Sequence, residues 1–82
     1  MTTGSQLIAD LKSMLLEIDP KLPHDLNETD HFYNDLHMDS LDLTEYVATI
    51  EQKFQIRISD EIWEELSSIK AIVEFLDVHI AA

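Results

Sequence analysis

Apolar residues recur at helical spacing four times along this chain, and almost nothing in it can form a strand. The first run holds Leu7, Ile8, Leu11, Leu15 and Ile18, with Ser5 as the expected cap and Pro20 as its stop. The second follows Ser40 and holds Leu43, Tyr46, Val47, Ile50 and Phe54. The third is short: Ile62, Trp63 and Leu66 after the acidic opening Ser59-Asp60-Glu61. The fourth holds Ile69, Ile72, Val73, Leu76 and Ile80, with Ser67 or Ser68 as its cap. Only Phe54-Gln55-Ile56-Arg57-Ile58 alternates as a strand would, and a single short strand has no partner to pair with.

Between the first two runs lie about twenty residues, Asp19 to Asp39, and loops of that length are usually functional or disordered. Leu22, Leu26, Phe32 and Leu36 are spaced along this one and can pin it to a core, so an ordered, packed connection is expected, with room for a turn of helix. The resulting expectation is an all-α four-helix bundle with one long crossover and a short third helix, formed by residues 1–82 as a single domain with a modest core.

Composition narrows the function. Seventeen acids against five bases give a net charge of −12. Such a chain repels nucleic acid and anionic lipid, which are bound through Lys and Arg, and is steered toward basic protein surfaces. With no cysteine, a disulfide framework and a thiolate metal site are both excluded. No basic residue precedes Lys12 and no segment is apolar enough to span a bilayer, so a soluble, cytoplasmic monomer is expected, without a signal peptide or stable membrane association.

Asp39-Ser40-Leu41 stands where the long loop meets the second run. A serine there is a natural N-cap, and a phosphate on its hydroxyl would lie at the positive end of a helix. On a wheel at about 100° per residue, Leu43, Tyr46, Val47, Ile50 and Phe54 share the core face. Leu41 falls opposite, with Glu45, Ala48 and Gln52, while Asp42 and Thr49 flank it. One exposed leucine needs no explanation, and acids at a helix start complement its dipole. Together they describe an apolar knob in an acidic collar beside a modifiable hydroxyl, a docking site for basic partners.

The stretch Asp35-Leu36-His37-Met38-Asp39-Ser40-Leu41-Asp42 resembles the attachment motif of the acyl carrier proteins. The likeness continues through Glu45, Val47, Ile50, Glu51, Phe54, Ile58, Ser59-Asp60-Glu61 and the Ile69 to Leu76 pattern, and so covers about Leu7 to Leu76. The resemblance implies a 4′-phosphopantetheine arm on Ser40, transferred from coenzyme A by a phosphopantetheinyl transferase, with Asp39 helping that enzyme place its metal ion and coenzyme A. It implies that Leu41, Asp42 and Glu45 contact the transferase and later acyl-processing enzymes through their basic patches. It also implies an interior lined by Leu36, Val47, Ile50, Ile58, Leu66 and Ile72 that receives acyl cargo. The chain would then be a carrier in fatty-acid or a related specialised lipid or polyketide pathway, with no catalytic residues of its own.

Three departures bear on that expectation. His37 stands where the family usually has glycine, so a different approach to Ser40 is expected. Gln52, Lys53, Gln55 and Arg57 make the far end of the second helix less acidic, which points to an altered partner set. Ile72 occupies a place where smaller residues are common and would shorten the cavity. Two other readings stay open: a peptidyl or aminoacyl carrier, and an unmodified acidic adaptor. His31, His37, Asp39 and Asp42 have chemistry suited to a divalent ion, but their spacing matches no ligand pattern, and no metal is expected.

Overall fold

The computed structural model describes residues 4–80, Ile80 by its backbone alone. Four helices follow one another: α1 (Gly4–Ile18), α2 (Ser40–Phe54), α3 (Asp60–Glu65) and α4 (Ile69–Ile80), and no described residue is in a strand. α1 packs against both α2 and α4. Their apolar stripes meet in one continuous core that includes Leu7, Leu11 and Leu15 of α1, Leu43, Tyr46 and Ile50 of α2, and Ile69, Ile72 and Leu76 of α4. Of the residues read from spacing, Ile8, Ile18, Val47, Phe54, Ile62, Trp63 and Val73 pack against this core half-buried. The side chain of Ile80, assigned to the fourth stripe, lies outside the described residues.

Two of the expected helix starts are placed differently. α1 already includes Gly4, so Ser5 sits inside the first turn and caps nothing. Asp39, not Ser40, is the N-cap of α2: its backbone is extended (φ −74°, ψ 145°) and its carboxylate accepts the N–H of Leu41. Either residue type can cap, but only the one that stays extended holds its oxygen over the open N–H groups. Between the two candidates for α4, Ser68 is the cap, its hydroxyl accepting the N–H of Ala71 at 3.2 Å. Ser59 caps α3 in the same way, through the N–H of Ile62.

α2 ends on a left-handed residue, Gln55 (φ 57°), whose N–H donates to the carbonyl of Glu51. Ile56 N–H returns to the same carbonyl at 3.2 Å, which closes the helix end. The carboxylate of Glu51 then reaches forward seven residues to accept the N–H of Ile58 at 2.8 Å. One side chain thus fixes the angle at which α3 leaves α2.

The long loop is ordered and pinned as expected. Leu22, Leu26 and Phe32 are buried, as is Met38, and Leu36 is half-buried. It contains no helix but a series of hydrogen-bonded turns, the last of which brings the Asp35 and Leu36 N–H groups to the carbonyl of His31. Two backbone bonds fasten it to the far side of the bundle: Phe32 N–H to Ser67 O and Lys70 N–H to Glu28 O, each 2.9 Å. Phe32 also stands edge-on to Tyr46 (centroids 5.9 Å apart) and nearly parallel to Trp63 (6.3 Å). Tyr46 is fully buried, and its hydroxyl donates to the carbonyl of Leu11, tying α2 to α1.

Candidate functional site

The segment that delivers Ser40 is built from one anchor, one strained residue and one cap. Met38 is buried and its N–H donates to Phe32 O at 2.9 Å, so the chain is held just before the helix begins. His37 precedes that anchor with φ 53°, in the left-handed region. Histidine enters that region more readily than most residues but still at a cost. The approach to Ser40 thus uses backbone angles that glycine tolerates, with histidine bearing the strain.

Ser40 is the first residue of α2 and is exposed. Its hydroxyl makes no hydrogen bond to any described residue, while its carbonyl accepts the hydroxyl of Thr44 at 2.9 Å. Ser40 thus presents a free, solvent-facing hydroxyl on the first turn of a 15-residue helix. Leu41 beside it is 77% exposed. Asp39 and Glu45 are exposed and Asp42 is half-buried, so the acidic collar around the knob is present as the wheel places it.

These residues suit a phosphate ester on Ser40. The helix start favours an anion there. Asp39 Oδ1 already holds the Leu41 N–H at 2.9 Å, however, and Asp42 adds a second carboxylate in the same turn. A phosphate would therefore share its surroundings with two acids, and a cation shared between the carboxylates and the phosphate would offset their repulsion during transfer.

His31 does not join a metal cluster. Its Nδ1 accepts two backbone N–H groups, from Tyr33 and Asn34, each at 3.1 Å. The carboxylate of Asp35 in turn accepts the His31 N–H at 2.8 Å. The two side chains knot the turn that precedes Met38, a role the spacing of a histidine and an aspartate four residues later hints at only in retrospect. Among the described residues no three histidine, aspartate or glutamate side chains are grouped to hold a metal ion.

Of the residues assigned to an acyl-receiving interior, Ile50, Ile58, Leu66 and Ile72 are buried in the core, and Leu36 and Val47 pack against it half-buried. A pocket of about 220 Å³ lies to one side of them, between the long loop, α2 and α3. Its deep residues are Phe32, Leu43 and Leu66, and Leu66 alone belongs to the assigned set. Half-buried Trp63 walls it, and Tyr33 and Glu64 lie exposed at its mouth. His31 and Ser67 complete it. Sequence periodicity could not find this pocket, because three of its eight lining residues, His31, Phe32 and Tyr33, belong to a loop that has none.

The family model of the phosphopantetheine attachment site matches residues 9–76. Among curated proteins, the acyl carrier protein of Chlamydia muridarum is 34% identical over 67 residues, which cover 82% of this chain and 87% of that protein. That of Wolinella succinogenes is 33% identical over 70 residues, covering 85% and 92%. The mitochondrial acyl carrier protein of Neurospora crassa is 43% identical over 54 residues, covering 66% of this chain and 40% of that longer protein. The fold also matches the solution structure of a protein from Anaplasma phagocytophilum described as an acyl carrier protein, with a TM-score of 0.82 at 22% identity, covering 96% of this chain and 93% of that one. The matched family is that of the phosphopantetheine-bearing carriers. The chain belongs to the acyl carrier protein family.

Proposed function

We propose that Ser40 is the attachment point of the 4′-phosphopantetheine arm, and that residues 1–82 act as one monomeric carrier domain in the cytoplasm. The observation that supports this most directly is the Ser40 hydroxyl itself: exposed, without a hydrogen bond, and on the first turn of α2 between an exposed Asp39 and an exposed Leu41. The arm supplies a terminal thiol that holds an acyl group as a thioester. The chain supplies position and address. Asp39 helps the transferase place its cation and coenzyme A. Leu41 seats in an apolar socket, while Asp42 and Glu45 meet basic side chains around it. Catalysis belongs to the transferase and the acyl-processing enzymes.

The pathway is fatty-acid synthesis or a related specialised lipid or polyketide route. The strained His37 before the site, Lys53 in the last turn of α2 and Arg57, which with Gln55 lies beyond the helix rather than on it, favour a specialised partner set. Intact-mass analysis after incubation with coenzyme A and a phosphopantetheinyl transferase tests the assignment. The wild-type chain gains one phosphopantetheine mass and Ser40→Ala gains none. An arm on Ser40→Ala, or no arm on the wild type with two different transferases, overturns it.

A further inference from the structure

Given Ser40 as the point of attachment, we infer that the pocket between the long loop, α2 and α3 receives the far end of a short cargo, and that this end is a planar ring bearing a hydrogen-bonding substituent. Position comes first. Leu43, in the pocket wall, lies one turn beyond Ser40 on the same helix, where side chains are roughly 5–6 Å apart. A group tethered to Ser40 reaches the mouth by folding back along α2.

Size comes second. A cavity of about 150 Å³ lined by apolar side chains holds benzene. The pocket here, at about 220 Å³, holds one ring and a short linker. Beyond Phe32 the pocket meets packed core. Phe32 and Tyr46 stand edge to face behind the pocket, both with essentially no exposure, and the Tyr46 hydroxyl is bonded to Leu11 O. A chain pushed past them must break a buried hydrogen bond and open a close-packed core.

Chemistry decides the rest. Four of the lining side chains carry rings: His31, Phe32, Tyr33 and Trp63. Flat surfaces on several sides favour a flat guest, and ring pairs gain beyond the area they bury. The lining also holds three polar groups that a hydrocarbon tip would cover without replacing their water. With Nδ1 accepting from two backbone N–H groups, the neutral His31 ring carries its proton on Nε2, a donor turned to no described residue. The Ser67 hydroxyl likewise has no described partner, and the Glu64 carboxylate at the mouth offers an acceptor. A ring hydroxyl can accept from the first and donate to the last.

The test loads the full chain with 4-hydroxybenzoyl, benzoyl and hexadecanoyl arms by a phosphopantetheinyl transferase acting on the corresponding coenzyme A thioesters. Mass analysis confirms the arm on Ser40 before melting is compared with that of the unacylated arm. The expected result is a melting point several degrees higher for the hydroxybenzoyl form, a smaller rise for benzoyl and none for hexadecanoyl. The emission of Trp63, the chain's one tryptophan, changes only in the ring-bearing forms. Glu64→Ala, at an exposed position outside the buried core, removes the acceptor and shrinks the hydroxybenzoyl gain to the benzoyl level. Equal gains for all three arms, or the largest for hexadecanoyl, overturn the inference while leaving the carrier assignment intact. Equal gains for the two ring-bearing arms overturn the substituent. Failure to load any arm on Ser40 removes the attachment point and the inference with it.

Discussion

His37 holds a left-handed backbone that costs an ordinary L-residue about 1–2 kcal/mol. Glycine relieves that strain but gives back roughly 0.5–1 kcal/mol in backbone entropy. His37→Gly should therefore stabilise by less than about 1 kcal/mol, while His37→Val, branched at Cβ, should destabilise by about 1–2 kcal/mol. Urea unfolding of the two variants checks the order, and a valine variant as stable as wild type would remove the strain argument. Tyr46 is strained by nothing and exposed to nothing. Burial pushes its phenol well above the ordinary tyrosine range. Because the folded-state value is raised, its contribution is fully present below the unfolded value near 10 and is lost as pH climbs beyond it, at up to about 1.4 kcal/mol per pH unit. Tyr46→Phe should cost about 1 kcal/mol at neutral pH, from the lost bond to Leu11 O, and should flatten the alkaline fall. Melting curves from pH 8 to 12 give both numbers. Tyr46 on the core face and Leu41 on the opposite face are readable from spacing, because a helix converts order along the chain directly into direction. The hydroxyl bond of Tyr46 is not, because its acceptor is 35 residues away on another helix.

At the scale of elements, periodicity locates all four helices and leaves their joints unread. The position of Ser40 at the start of α2 is legible, but its role as first helical residue rather than cap depends on which of two neighbours stays extended, and either sequence choice allows both. Glu51 gives a sharper case. It lies on α2 as an ordinary acid, yet its carboxylate takes the Ile58 N–H and orients the α2–α3 joint. Glu51→Ala leaves that partly buried N–H without a partner and should destabilise by about 1–2 kcal/mol, lowering Tm by roughly 4–8 °C per kcal/mol for a domain of this size. Glu51→Gln keeps an acceptor oxygen and should lose less than half as much. Equal losses in the two variants would show that charge, not the bond, matters at this position. The pocket beside α3 is the least legible feature, since His31, Tyr33 and Ser67 meet there through turns whose geometry no hydrophobic pattern encodes.

The whole molecule carries a net charge of −12 within a radius of gyration of 11.8 Å. In about 0.01 M salt the screening length is about 30 Å, comparable with its longest dimension of 34 Å, so its carboxylates repel one another across the entire body. At physiological strength the length falls to about 8 Å and the repulsion becomes local. Melting should therefore rise by several degrees as salt is added, with the steepest gain at the low end, and a flat response in calorimetry would argue against self-repulsion as a destabilising force. Under the proposed function, the same charge would steer the chain toward basic partner surfaces.

α3 differs from its neighbours in having no fully buried residue, and it is gripped at both margins: by Glu51 at Ile58 on one side and by the Phe32–Ser67 backbone bond on the other. A segment with little buried surface between two fastenings is the part of a protein that opens first. Amide protons of Ile62 and Trp63 should accordingly exchange with solvent sooner than those in the middle of α1, and the bundle behaves as a rigid box with one thin panel, latched at each edge, that can swing out while the other three walls stand.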